Sequence, residues 1–187
     1  MMINSGSRRF LSLWLTHWPT DQHRRRLQRT VRSFQPRSAR AAPSVGTAPL
    51  VLAAQTGNRQ EIQAVDPLAA RLGVKPGMAV ADARAWLPNL VVEAYDPTAD
   101  ALDLRRLADW ATRFSPLVAP EGSDGLMLDI AGCAHLWGSE AKMLADLDRH
   151  LRQFGLHHRA AIADTIGTAW ALARHGANDH MIAPQGN

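Results

Sequence analysis

The sequence is poorest in the features that would mark a secreted, membrane-bound or cysteine-metal protein. It has one cysteine, Cys133, so an internal disulfide and a cysteine-based zinc site are both excluded. That usage suits a reducing cytoplasm. No sequence neighbour offers Cys133 an activating base, and it reads as a small buried side chain. No stretch approaches the ~20 apolar residues that span a bilayer, and no membrane partner is expected. Arg8 and Arg9 before a short apolar run ending at Leu15 imitate a signal peptide. However, Trp14, His17 and Trp18 interrupt the run and no small-residue cleavage site follows, so the segment reads as a buried strand. A glycine-rich phosphate loop, a nucleophile elbow and zinc-ligand spacing are also missing.

What is present suits a globular chain. Of 187 residues, 46% are hydrophobic and 20% charged, enough for a real core in one domain or one and a half. The formal net charge is +4 and the pI about 10.2, a basic bias that permits nucleic-acid contact without requiring it. The bias is concentrated. Arg24, Arg25, Arg26, Arg29, Arg32, Arg37 and Arg40 crowd together with His23, with no acid among them. Two readings stand side by side: a solvated helix face, or an arm that contacts phosphates.

The pattern along the chain alternates. Phe10–Leu15 is a strand candidate ended by Pro19, and Thr20 is placed to cap a helix from Asp21 through the arginines. Pro36 to Pro49 reads as a loop. Pro49–Ala54 and Glu61–Val65 form a hairpin about Thr56-Gly57-Asn58-Arg59. Asp66-Pro67 opens a short helix, and a second runs from Ala79 to Trp86. Leu90–Ala94 is a strand, and apolar residues at 101, 104, 107, 108 and 111 give helical spacing. Leu117–Pro120 and Leu126–Ile130 pair about the turn Glu121-Gly122-Ser123-Asp124-Gly125. Glu140–Phe154 is an amphipathic helix ended by Gly155. Arg159–Ala163 is a strand and Ile166–His175 a helix. The tail 178–187 has no periodicity and is expected to be frayed or truncated. The fold class expected is α+β: a largely antiparallel sheet with helices on one face and a small helical insertion.

Three motifs occur in order. Ala69–Met78, ending Gly-Val-Lys-Pro-Gly-Met, resembles the fingers motif of Y-family (UmuC-like) translesion DNA polymerases. Ser115-Pro116 through Asp124-Gly125-Leu126-Met127-Leu128-Asp129-Ile130 resembles the palm motif that carries an Asp-Glu pair. Ala161–Thr165 resembles a strand–turn motif of the same palm. Leu13–Asp21, Ala53–Arg59 and Asp129–Leu136 look like the catalytically degenerate ImuB-like branch in particular. The resemblance covers residues 10–176. It implies a first part of the palm at 8–65, a fingers-like insertion at 66–95 and the rest of the palm at 96–176, with 177–187 a disordered or truncated tail. It also implies an N-terminal fragment of a longer protein.

An active polymerase of this kind holds two divalent ions with hard oxygen ligands. Aligned by its aromatic pair, the first strand places Leu13 and Leu15 where ligands should stand, and residues 11–18 contain no acid. Asp124 matches the family Asp, as a turn residue or a vestigial ligand, and Gly125 stands in place of the Glu. On the nucleotide side, Pro67 and Ala70 replace the Tyr and Arg, Trp170 or Arg174 falls near the family Lys, and Arg71 is a partial substitute. Asp129 is expected to pair locally, Asp164-Thr165 to cap a helix, and His17 and His135 to be core or surface histidines. The resemblance therefore implies a non-catalytic accessory protein of DNA repair and SOS-type induced mutagenesis. Its implied partners are DNA, a sliding clamp, an error-prone replicative-type polymerase and a RecA-like companion. No cofactor is expected; magnesium enters only under the alternative of an active or residually active polymerase. A further alternative is an unrelated basic interaction module. The candidate DNA contacts are Arg24, Arg25, Arg26, Arg29 and Arg32.

Overall fold

The computed structural model describes residues 8–34 and 48–186, and of residues 31–34 the backbone alone. Arg37, Arg40 and most of the expected Pro36–Pro49 loop lie outside the described residues. In chain order the elements are β1 (Phe10–Trp14), α1 (Trp18–Phe34), β2 (Leu50–Thr56), β3 (Arg59–Val65), α2 (Pro67–Arg71), α3 (Val80–Trp86), β4 (Val91–Ala94), α4 (Pro97–Ala111), β5 (Leu117–Glu121), β6 (Gly125–Asp129), a 3₁₀ turn (Ala134–Trp137), α5 (Glu140–Gln153), β7 (Arg159–Ala163), α6 (Ile166–His175) and β8 (His180–Ile182). They divide into two units, residues 1–16 with 101–187, and residues 17–100. The fold class is α+β as expected.

The first unit is built on a five-stranded sheet in the order β5-β6-β1-β7-β8. Every neighbouring pair is antiparallel except β7–β8. Side chains alternate across a strand, and the register makes that alternation consistent. Leu11 lies opposite Leu128 and Ile162, and Leu13 opposite Leu126 and Ala160. All six are 1% exposed or less, and each buried leucine of this kind contributes roughly 1.5–3 kcal/mol. The other face carries Ser12, Trp14, Gly125, Met127, Ala161 and Ala163, and α6 lies against β1 and β7.

Local signals explain the helices of this unit. Ser139 caps α5 by accepting from the Lys142 amide at 3.2 Å, and Met143, Leu144, Leu147 and Leu151 form its buried stripe. Gly155, at φ 71°, supplies the left-handed residue that ends the helix. Thr165 caps α6 through the Thr168 amide at 3.1 Å. Trp110, Phe114, Trp137 and Phe154 pack as an aromatic group, with Phe114 stacked on Trp137 at 5.3 Å.

The tail differs from expectation. His180–Ile182 adds to β7 as a parallel edge strand. Three residues are too few to show a period in sequence. The strand is held by long-range bonds instead: the Ala160 amide donates to Asp179 O at 2.8 Å, the Ala183 amide donates to Ile162 O at 2.8 Å, and Arg9 donates to Ala183 O at 3.0 Å.

The second unit contains a three-stranded sheet, β3-β2-β4. β2 and β3 form the expected hairpin, with a register shift between Leu52 and Ala53, and β4 joins β2 in parallel. Asp66 caps α2 by accepting from the Ala69 amide at 2.7 Å, with Pro67 at the first helical position. Val51, Ile62, Ala69, Val74, Val80, Ala83 and Leu90 form its core. α1 starts at Trp18, two residues before the expected cap, and the Thr20 hydroxyl donates to His17 O at 3.0 Å. The two units divide at 16/17 and 100/101. The parallel β2–β4 pairing ties the hairpin to the insertion and is invisible to local periodicity.

Candidate functional site

The turn between β5 and β6 presents Glu121 and Asp124 near the end of β1. Gly122, at φ 62°, makes the turn possible. Trp14 closes β1 and lies opposite Gly125 in the register. Its indole Nε1 donates to Asp124 Oδ2 at 2.9 Å. From α6, Arg174 Nη2 donates to Glu121 Oε2 at 2.8 Å and to Asp124 Oδ1 at 3.3 Å. The guanidinium stacks over Trp170 at 4.6 Å and over Trp14 at 5.6 Å. Arg174 is 12% exposed, whereas Glu121 and Asp124 are 32% and 39% exposed. Each Asp124 oxygen thus faces an N–H donor, and a permanent cation sits between the two carboxylates.

The arrangement adds detail that only the fold supplies. Leu13 and Leu15, aligned with ligand positions, are 1% exposed and belong to the apolar series begun by Leu11. The β1 side chain that reaches Asp124 is Trp14. Glu121, expected as a turn residue and lying outside the matched Asp-Glu pair, brings a second carboxylate beside Asp124. At Gly125 the space is closed. A Cβ there would lie 3.0 Å from Glu121 O, 3.0 Å from Leu13 O and 3.1 Å from Glu121 Oε2. Ser12, midway along β1, is 0% exposed, and its hydroxyl has no partner among the described residues.

The arginine stretch also changes character. Arg24 pairs with Asp66, the cap of α2, and Arg26 pairs with Asp100 at 2.7 Å. These acids lie far away in sequence, which is why the stretch looks unbalanced when read locally. Arg25 is half-buried and Arg29 exposed, and for Arg32 the helix backbone is described. Burial pushes the His23 imidazole below its usual pKa; Glu93 opposes this, and Arg26 and Arg24 reinforce it. Arg71 is exposed in the last turn of α2, in the unit that does not contain Asp124.

The remaining candidates are structural. Asp129 Oδ1 accepts from the Ala131 amide at 3.0 Å, the local pairing expected. His17 Nδ1 lies 2.9 Å from Val65 O. His135 is exposed, and Cys133 is half-buried where full burial was expected, because it sits in the surface turn after β6. Thr165 is the helix cap, while Asp164 pairs with Arg9 at 2.8 Å.

A second convergence has no sequence signal. Asp148 from α5, His158 before β7 and His180 in β8 direct three donor atoms toward one another. They are ten and twenty-two residues apart and come from a helix, a loop and a strand. Burial pushes the His158 imidazole below its usual pKa; the Leu156 carbonyl and Asp148 oppose this, and His180 and Arg152 reinforce it.

The fold defines a class. The insertion ternary complex of Dbh DNA polymerase superposes with a TM-score of 0.72 at 12% identity, covering 94% of this chain and 48% of that one. DinB from Sulfolobus solfataricus gives 0.67 at 14% identity with the same coverage. The fold is therefore that of the Y-family polymerases, of whose length the chain spans about half. The model of the impB/mucB/samB family matches residues 32–174, and the chain belongs to that family. Protein ImuB from two strains of Caulobacter vibrioides, NA1000 / CB15N and ATCC 19089 / CIP 103742 / CB 15, is 56% identical over 115 residues. That match covers 62% of this chain and 25% of the relative. Among the described residues, no helix is long and apolar enough to cross a membrane.

Proposed function

We propose that this chain is the palm-and-fingers portion of a non-catalytic, polymerase-fold protein that acts in translesion synthesis and DNA-damage-induced mutagenesis. Its role on damaged DNA is to scaffold an error-prone replicative-type polymerase and a sliding clamp, with a RecA-like companion, in the cytoplasm. Family membership and the ImuB similarity support the setting. The observation that carries the non-catalytic reading is the Arg174 guanidinium lodged between Asp124 and Glu121.

The physical case is one of charge. Two-metal phosphoryl transfer needs several hard oxygens to hold two divalent ions ~3.5–4 Å apart. Here β1 contributes Ser12 and Trp14 and no carboxylate. Asp124 is satisfied by Trp14 and Arg174, and a side chain at Gly125 would press on Glu121 O and Leu13 O. A cation entering this site would have to displace a bound guanidinium and meet its positive charge. The residues present do not fit a pair of magnesium ions. Arg29, exposed on α1, and the half-buried Arg25 are described candidates for phosphate contact from the arginine stretch, and Arg24 and Arg26 serve mainly to hold α1 in place.

The test is primer extension with purified protein, primer-template, the four nucleotides and magnesium or manganese. No extension is expected. Extension that disappears in Asp124→Ala would overturn the reading and establish a residual polymerase.

A further inference from the structure

Asp148, His158 and His180 form a triangle of donor atoms. His158 Nε2 lies 3.2 Å from Asp148 Oδ1, His180 Nε2 lies 3.4 Å from the same oxygen, and the two Nε2 atoms are 3.4 Å apart. Tetrahedral zinc holds nitrogen and oxygen ligands at ~2.0–2.1 Å, which places adjacent ligand atoms about 3.3–3.4 Å from one another. The three edges match one face of such a tetrahedron.

Hydrogen-bond roles sharpen the case. His158 Nδ1 lies 3.0 Å from Leu156 O, and a carbonyl only accepts, so Nδ1 carries the proton. In the neutral ring this leaves a lone pair on Nε2, aimed at the Asp148 carboxylate, which is also an acceptor. His158 is 3% exposed, so water does not relieve the repulsion. A proton on His180 Nε2 serves one of its two neighbours at a time. A cation at the centre serves all three. The bond from Nδ1 to Leu156 O is also the outer contact that typically orients a ligating imidazole.

We propose that these three side chains bind a zinc-class divalent transition metal through two imidazole nitrogens and one carboxylate oxygen, with the fourth position open to solvent. The ion would clip α5, the segment before β7 and the edge strand β8 together. Arg152 Nε also contacts Asp148 Oδ1, at 2.7 Å, but its side chain is 68% exposed and swings aside at little cost. It opposes a cation by charge alone, and Arg152→Ala should raise metal affinity several-fold.

The experiment uses the chain free of any polyhistidine tag. It is titrated with cobalt(II), followed by the intense visible bands of a four-coordinate ion, and then with zinc, followed by displacement of cobalt and by thermal unfolding. One cobalt per chain is expected, with zinc displacing it and raising Tm by about 5–10 °C at a hundredfold excess over Kd. His180→Ala and Asp148→Asn, at part-exposed positions, should fold and lose both effects, whereas His135→Ala should keep both. Absence of four-coordinate cobalt in the parent chain, with no zinc-dependent Tm change, would overturn the proposal and leave a proton-bridged trio. Binding retained in both His180→Ala and Asp148→Asn would overturn it equally.

Discussion

Asp124 and Asp148 lie in the same unit of the chain, and each anchors a cluster of charged and aromatic side chains, yet what holds them differs. Asp124 and Glu121 are held by a guanidinium that is charged at every accessible pH. Asp148 faces two imidazoles, which are neutral or protonated according to their surroundings. In the first cluster two carboxylates share one guanidinium. In the second, the guanidinium that pairs with Asp148, that of Arg152, is 68% exposed, and two imidazole nitrogens face the same oxygen. A carboxylate at a polymerase-like position is therefore poor evidence for metal binding until its partner is known. A carboxylate at an unremarkable position becomes good evidence when the fold gathers imidazoles around it.

The comparison breaks most violently at Leu13. Placing an acid where the sequence alignment puts a ligand, as Leu13→Asp, would bury a carboxylate on the apolar face of β1. We expect a loss of about 4 kcal/mol or more in urea unfolding and no gain in metal affinity. Next comes Arg174→Ala. It strips the cation from two part-exposed carboxylates and should cost about 2 kcal/mol after allowance for solvent screening. It should also let Glu121 and Asp124 take up manganese weakly, still without primer extension. Gly125→Ala is milder. The new Cβ presses on two backbone oxygens, and a loss of about 1 kcal/mol is expected by thermal unfolding. The smallest effect concerns pH and His23, which lies in the other unit. His23 has a lowered pKa in the fold, so the unfolded chain takes up a proton first, near its ordinary ~6.5. Its contribution is present above that pH and is lost as pH falls through the lowered folded value. Denaturation midpoints between pH 7.5 and about 5 should fall less in His23→Gln, and Arg174→Ala should leave that pH slope unchanged.

Much of this was legible in the sequence where the cause is local. The Ser139 cap, the 143/144/147/151 stripe and Gly155 announce α5. Gly122–Gly125 announces the β5–β6 turn, and Asp66-Pro67 announces α2. The unreadable parts depend on long-range pairing. β8 is three residues that pair with an edge. The hairpin's own sheet depends on β4 adding in parallel. Arg24 and Arg26 look unopposed until Asp66 and Asp100 arrive from elsewhere in the chain. The candidate site shows the same split. The motif points to Asp124, whereas the burial of Leu13 and Leu15 and the reach of Trp14 to Asp124 follow from which face of β1 packs inward. Trp14, Glu121 and Arg174 come together only in the fold.

The central claim is that the Asp124 site holds a guanidinium in place of metal ions. It is tested most directly by titrating the chain with manganese, followed by the electron paramagnetic resonance of the free ion, beside Asp124→Asn. The account predicts that the two curves superimpose, any uptake at Asp148, His158 and His180 being common to both. Manganese uptake by the parent chain that Asp124→Asn abolishes would contradict it.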